Sequence, residues 1–371
     1  MSDPAKSDPA SPAPAKLAAL RQKYANAKGS DVFDPAFRAI AEAQFPEGDR
    51  RLQPYAGIPT FLDLPSAAEA AARGDFSGLD VAVIGVPMDL GVTNRPGARF
   101  GPRAVRAVER VGPYNHVLRR MPGLHCKAAD IGDVPFRSRY RLDKSHEDIQ
   151  DFFHRVVGAG VIPLAVGGDH SISYSILKAV GATRPVGMVH FDAHCDTAGD
   201  YEGAKFHHGG PFRHAVLEGL IDPQRSVQIG IRGAAEYLWE FSTDAGMTVI
   251  HGEDVPKLGT AAILETVRRV VGDGPVYVTF DVDCLDPAFA PGTGTPEIGG
   301  LTTREALELL RGLDGLNVIG GDVVEVAPQY DPTTNTAHAA AQILFELFSL
   351  VAGRFAAPAA SAPALSDQQV L

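Results

Sequence analysis

A mostly parallel β-sheet of about eight strands, covered by helices on both faces, is the fold class that this sequence predicts. Two observations carry it. Near-continuous β-branched runs recur between Leu79 and Gly353, and segments of helical pattern separate them. The runs are mainly apolar, as suits strands buried on both faces, and no internal repeat of fixed period is present.

The elements can be taken in order. Residues 1–16, rich in Pro, Ala and Ser, read as a disordered tail. LAALRQKYANA and DPAFRAIAEAQF then read as two short amphipathic helices, and residues 46–75, with several prolines, as irregular. VAVIGVPM is the first buried strand and CKAADIGDV (126–134) the second. VIPLAVGG (161–168) precedes the helix-like SISYSILKAVGA, and PVGMVHF (185–191) precedes a helix near PFRHAVLEGL. SVQIGIR (226–232) leads to AAEYLWEFSTDA, and MTVIHG (247–252) to TAAILETVRRVV. VYVTFDV (276–282) leads by a loop to TREALELLRGL, and NVIGGDVVEV (317–326) to a long helix from about Asn335 to Val351. A low-complexity tail closes the chain. The segments are thus a tail over 1–16, a helical extension over 17–54, one large domain over 55–354 and a tail over 355–371. An open doubly wound sheet is the expected arrangement, and a closed eight-stranded barrel is its rival, since strand count alone does not separate them.

Composition excludes several function classes. The chain has 371 residues, 45% of them hydrophobic, so a sizeable core can form. Its formal charge is −11 and no dense basic stretch exists, which argues against nucleic acid or an anionic membrane as partner. A negative field suits a small cationic substrate. No apolar run reaches the roughly 18 residues of a membrane span. The N-terminal residues lack the basic-then-apolar order of a secretory signal. Three cysteines, Cys126, Cys195 and Cys284, make no disulfide framework, and a cytoplasmic location is expected.

The polar residues sit where chemistry is expected. In parallel sheets ligands gather at the carboxyl ends of strands. Gly167-Gly168-Asp169-His170 ends one strand, Asp192-Ala193-His194-Cys195-Asp196 a second, Asp281-Val282-Asp283 a third and Glu325 a fourth. Buried carboxylates on neighbouring strand ends repel and lose hydration, at several kcal/mol per unpaired ion. No comparable set of Lys or Arg lies in these motifs, so divalent metal is the expected counter-charge. Asp and His donors suit first-row ions such as Mn, Ni, Co, Fe or Zn. Alternation turns Cys195 and Cys284 away from the ligands, and both read as packing residues. The donor count suggests two ions: His170, Asp192, Asp196 and Asp281 around one, and Asp192, His194, Asp281 and Asp283 around the other. Such pairs sit ~3.5–4 Å apart and lower the pKa of the water between them.

Taken together, GGDHS (167–171), DAHCD (192–196), HHG (207–209), FDVDCLDPAFAPGTGTPEIGGL (280–301), DVVEVAP (322–328) and the loop GVTNRPGARFGPRAVR (91–106) resemble the ureohydrolase family of arginases, agmatinases and guanidino-acid hydrolases. The resemblance spans about Tyr55 to Val351. It implies an arginase-like three-layer α/β/α fold, two divalent metal ions per subunit with manganese or nickel as the metal, and a homotrimer or homohexamer. It implies His208 as proton shuttle, Glu325 as the group that grips the guanidinium, Asp283 or His208 as proton donor to the leaving amine, and His214 and Asn94 near the substrate. The reaction implied is hydrolysis of a guanidino compound to urea and an amine. TAGDYEGAKFHHGG (197–210) and PYAGIPTFLDLP (54–65) resemble the agmatinase and guanidino-acid branch. Gly210, where that branch has Thr, and YDPTTNTAHAAA (330–341) depart from agmatinase. A guanidino acid such as 4-guanidinobutyrate, agmatine and free guanidine therefore all stay open as substrates.

Plainer readings compete at several positions. His170 alone would read as a helix N-terminal residue with Ser171 as cap. His190, deeper in its strand, reads as a satisfied core histidine and His207 as a loop residue. Glu325 has an arginine partner as its alternative, Asp286 and Asp322 read as structural acids, and Arg99, Arg103 and Arg106 as packing or subunit contacts. Tyr237 and Trp239 read as core or interface rather than substrate cage. The glycines of 292–300 resemble a phosphate cradle, but no P-loop lysine follows them. A non-catalytic metal-binding relative and a single-zinc amide hydrolase on a related fold are the readings from other classes.

Overall fold

The computed structural model describes residues 14–28, 31–44, 55–109, 111–233 and 236–356, without the side chains of 36 and 236. The tails expected over 1–16 and 355–371 lie outside the described residues, except for 14–16, which open a helix, and 355–356. The chain divides into two units, Met1–Gln53 and Pro54–Leu371. The first contains the helices Pro14–Tyr24 and Pro35–Gln44. Only the second of these gathers its apolar residues on one side. In Pro14–Tyr24 they are spread around the axis and none is buried, so the expected amphipathic pattern is absent there.

The second unit is built on eight strands: β1 Val81–Val86, β2 Ala128–Asp133, β3 Ile162–Gly167, β4 Val186–Phe191, β5 Ile221–Ile231, β6 Thr248–His251, β7 Val276–Asp281 and β8 Val318–Val324. Their order is β2-β1-β3-β8-β7-β4-β5-β6 and every pairing is parallel. Strands β2 and β6 stand at the two ends of this order and do not pair with each other, so the sheet is open and the closed barrel is excluded. Two separate cores cover it. Helices Gly101–Arg106, Val255–Val271, Thr303–Arg311 and Asn335–Ala352 close one face through Val105, Val267, Leu309 and Leu347. Helices Leu142–Gly158, Ile172–Val180 and Pro211–Leu217 close the other through Phe153, Ile176 and Phe212. This is the three-layer α/β/α arrangement. The helix Leu142–Gly158 is the one long element that the sequence reading passed over, although Ile149, Phe152, Phe153 and Val156 recur at helical spacing and are all buried. No described helix is long and apolar enough to cross a membrane.

Register decides what the sheet presents. Asp322 of β8 aligns with Thr279 of β7, Thr279 with His190 of β4, and His190 with Gln228 of β5. All four are buried. The next row, Val323, Phe280, Phe191 and Ile229, turns to the other face and joins its apolar core. The row after that brings Asp281 to the tip of β7, on the same face as the polar row. Strands β7 and β8 lie between β3 and β4, so the tips of β3, β8, β7 and β4 stand side by side at the point where the strand order reverses, which is where open α/β sheets bind ligands.

Local signals agree with this layout. Thr302 caps the helix Thr303–Arg311: its Oγ1 accepts from the Glu305 amide at 3.2 Å, and Glu305 Oε2 accepts from the Thr302 amide at 2.8 Å. Thr302→Ala is expected to lower stability by about 1 kcal/mol. A drop in the urea midpoint without a change in slope is the signature, and an unchanged midpoint contradicts this account of the helix start.

Candidate metal centre

Four sequence-distant motifs meet at the adjacent tips. His170 follows β3, Asp192, His194 and Asp196 follow β4, Asp281 and Asp283 end β7, and Glu325 follows β8. Nδ1 of His170 lies 3.0 Å from Asp192 Oδ2, 2.9 Å from Asp196 Oδ2 and 3.3 Å from Asp281 Oδ2. Nδ1 of His194 lies 3.1 Å from Asp283 Oδ2 and 3.4 Å from Asp192 Oδ1. All six candidate ligands of the sequence reading thus converge, with Asp192 between the two histidines. Among the described residues, none of these carboxylates pairs with a Lys or Arg side chain; their ionic contacts are to histidines. Two residues of the cluster hold left-handed backbone, Asp196 at φ 53° and Glu325 at φ 65°. Such strain costs about 1–3 kcal/mol at a non-glycine residue and clusters at functional sites.

His170 tests whether divalent cations suit the cluster. Its Nε2 meets Thr279 Oγ1 at 2.8 Å, and that hydroxyl donates to Asp322 Oδ1 at 2.5 Å. A hydroxyl that donates to Asp322 accepts from the ring, so the ring proton sits on Nε2. Nδ1 then points a lone pair at three carboxylate oxygens, and it is buried without a hydrogen-bond partner. Such a lone pair is stable there only with a cation in between, a proton or a metal ion. Imidazole and carboxylate donors without thiolate suit first-row divalent ions, so the residues fit. Without metal, protons must serve. Burial opposes charge on His170, yet Asp192, Asp196 and Asp281 outweigh it and hold its pKa well above the usual imidazole range. Burial, followed by repulsion from Asp283 and Asp192, pushes Asp281 well above the carboxylate range. Burial likewise raises Asp283, to about 6, although His194 works against it.

The polar row behind the tips orients this set. Gln228 Nε2 donates to His190 Nδ1 at 3.0 Å, so His190 Nε2 carries the proton and donates to Asp192 Oδ2 at 2.7 Å. His190 is therefore a satisfied core histidine that aims a ligand. Asp322, read as a structural acid, accepts from Ser173 Oγ and Tyr277 OH, each at 2.6 Å, as well as from Thr279. The parts played by Thr279 and Gln228 were not read from the sequence, because only strand register reveals them.

Glu325 takes no arginine partner. Its Oε1 accepts from the His170 amide at 2.9 Å and from His208 Nδ1 at 3.0 Å, while Oε2 is buried without a partner. The Thr93 amide donates to His208 Nε2 at 3.1 Å, and the Thr93 hydroxyl lies 2.6 Å from the same nitrogen. Burial opposes charge on His208, but Glu325 overcomes it and lifts the imidazole to about 9. The Gly91 amide donates to Asp169 Oδ2 at 2.8 Å and the His208 amide to Gly91 O at 2.9 Å, which holds loop 91–106 against the tips. Asn94 lies on this loop, exposed, and its Nδ2 donates to Gly294 O at 3.3 Å.

A cavity of about 340 Å³ opens beside the cluster, reached by His194, Asp196, His208 and Asp281. Tyr201, Tyr237 and Trp239 form its aromatic wall. Tyr237 and Trp239, expected in the core or an interface, are not core, since both line this cavity, at and just after the short turn Glu236–Leu238. His214 stands apart from the cluster, with Nε2 donating to Lys205 O at 3.1 Å. Cys195 and Cys284 are buried and free, and burial pushes the Cys195 thiol up to about 12, as suits a packing residue.

The Arginase family pattern matches residues 79–349, and the chain belongs to that family. It is accordingly a ureohydrolase, an enzyme rather than a non-catalytic relative. It is 50% identical over 302 residues to the guanidinopropionase of Pseudomonas aeruginosa, covering 80% of this chain and 93% of that one. To the mitochondrial guanidino acid hydrolase of Homo sapiens it is 48% identical over 274 residues, covering 73% and 78%. Among solved structures, proclavaminate amidino hydrolase from Streptomyces clavuligerus superposes with a TM-score of 0.76 at 39% identity, over 81% of this chain and 99% of the other.

The His208–Glu325 contact makes a pH prediction. A histidine whose pKa is raised on folding stabilises fully below its unfolded value near 6.5, and this is lost as pH climbs through the folded value of about 9. In chelator-treated protein, the stability gap between wild type and His208→Gln should shrink from about pH 6 to about pH 10. A gap that stays constant in denaturant titrations contradicts the pairing.

Proposed function

We propose that the chain hydrolyses a guanidino compound to urea and an amine at a pair of divalent metal ions. His170, Asp192, Asp196 and Asp281 are the ligands of one ion, and Asp192, His194, Asp281 and Asp283 those of the other. The single observation that carries this reading is the buried, unpartnered Nδ1 of His170, ringed by three carboxylates. Manganese is the first choice of metal and nickel the second; when bound, the ions lower the pKa of a water so that a nucleophile exists at neutral pH.

The remaining work falls to side chains. Glu325 Oε2, which has no partner, is free to accept from the substrate's guanidinium in a charge-assisted hydrogen bond. His208 is tied to that carboxylate through Nδ1, and its Nε2 accepts from the Thr93 amide, so Nε2 must first take up a proton before the ring can pass one to the departing amine. The aromatic wall excludes water from the reacting carbon and holds the substrate's tail. The names of the relatives favour a short guanidino acid. A specific observation favours agmatine instead: no Lys or Arg is among the described residues lining the cavity, which suits a cationic tail. Free guanidine gains no support from the relatives. A cytoplasmic homotrimer or homohexamer completes the reading.

Urea release from 3-guanidinopropionate, 4-guanidinobutyrate, agmatine and guanidine, with manganese and nickel loaded separately, tests the proposal. Turnover of one of the first three is expected, and none with metal fully bound overturns it. Asp192→Ala and Asp283→Ala should abolish turnover and weaken metal binding. His208→Ala should slow turnover by ~10²–10⁴ while both ions stay bound. Metal analysis of each variant accompanies the rates; loss of an ion from His208→Ala would show that its role is misassigned.

A further inference from the structure

We propose that Arg232 is the positioning residue of the second metal subsite, the one formed by Asp192, His194 and Asp283. The inference rests on the metal pair proposed above. Arg232 follows β5 directly and is 2% exposed, yet among the described residues it has no carboxylate partner. Among the described residues its guanidinium donates only to backbone carbonyls: Asp283 O at 2.7 Å, Glu297 O at 2.6 Å, Gly230 O at 3.0 Å, Cys284 O at 3.3 Å and Leu285 O at 3.5 Å. Its own amide donates to Ala193 O at 2.8 Å. One residue therefore grips both turns of the subsite, the turn between Asp192 and His194 through its amide and the turn at Asp283 through its side chain.

The geometry explains why an arginine stands there. Asp283 lies in the single turn Val282–Cys284, with its carboxylate toward His194 and its carbonyl toward Arg232. A flexible turn would let that carboxylate swing away from its neighbours, which repel it. A planar guanidinium that holds three successive carbonyls, 283 to 285, removes this freedom, and a lysine ammonium cannot span them. Bonding to Glu297 O ties in the loop whose Thr295 hydroxyl donates to Asp283 Oδ2 at 3.3 Å. The backbone has closed around the side chain: a Cβ on Gly300 would stand 2.6 Å from Arg232 Nη2, and one on Gly252 3.1 Å from its Cδ. A buried cation without a carboxylate is costly, and carbonyl dipoles together with the acidic cluster behind Asp283 offset that cost.

The test is manganese binding by the full-length chain. Wild type, Arg232→Lys and Arg232→Met are stripped of metal and titrated with Mn²⁺, with stoichiometry read calorimetrically and the spin-coupled pair read by electron paramagnetic resonance. The control is Arg225→Lys, which loses carbonyl contacts to Val271 and Pro275 at the opposite end of β5. Wild type and Arg225→Lys should bind two ions and give the coupled spectrum. The Arg232 variants should keep one tight ion, bind the second ~10–100-fold more weakly, and give a mononuclear spectrum at low loading. Arg232→Lys keeps the buried charge, so the test stands even where Arg232→Met does not fold. Two wild-type affinities in a folded Arg232 variant overturn the proposal, as does equal loss in Arg225→Lys. Fewer than two ions in wild type is a different failure, that of the metal pair itself.

Discussion

Mutual repulsion among buried carboxylates is the constraint to which the rest of this molecule answers. Asp169, Asp192, Asp196, Asp281, Asp283 and Glu325 are all buried around the tips of four adjacent strands. Water cannot screen them there, and no Lys or Arg side chain among the described residues pairs with them. A fold that gathers such a set must supply cations or protons and must hold each group against its neighbours. The open sheet does the gathering by inserting β7 and β8 between β3 and β4. The histidines take up protons when nothing else is available, which is the sense of the raised pKa values of His170 and His194.

Holding the set in place is the task of a second layer that follows from register alone. Because Asp322, Thr279, His190 and Gln228 align across the sheet, each supports the group beside or ahead of it: Asp322 and Thr279 fix the ring of His170, and Gln228 and His190 fix Asp192. The opposite face carries Val323, Phe280, Phe191 and Ile229 at the next positions and is packed as apolar core. One face of the sheet thus serves chemistry near its carboxyl end while the other serves stability. Backbone strain at Asp196 and Glu325 fits the same division, since both side chains are turned toward the cluster from left-handed positions.

How much of this was legible follows from what kind of signal each feature leaves. Parallel strands buried on both faces are mainly apolar, so most of the eight show as β-branched runs, whereas β2, AADIGD, holds a single β-branched residue and is the faintest of them. HFDAHCD was conspicuous because four polar side chains at alternate positions have no place at the end of a core strand unless they share a partner. Strand order was not legible, since nothing local says that β8 neighbours β3. Arg232 left no trace either: an arginine that bonds carbonyls has no complementary residue type to betray it. Tyr237 and Trp239 resembled ordinary packing aromatics until the turns after β5 were seen to bring them over the cavity. The helix Leu142–Gly158 does leave a signal, the spacing of Ile149, Phe152, Phe153 and Val156, with charged residues such as Lys144, Glu147 and Asp151 between the apolar positions.

The strand order also governs when the centre can come into being during synthesis. Until β7 and β8 have left the ribosome, no strand links β3 to β4, and the nascent chain can form only the two half-sheets β2-β1-β3 and β4-β5-β6. His170 and Asp192 belong to different halves, and Asp281 arrives later than both. The full set of candidate ligands is therefore assembled late, with insertion of the last two strands, and a half-made polypeptide holds only part of it.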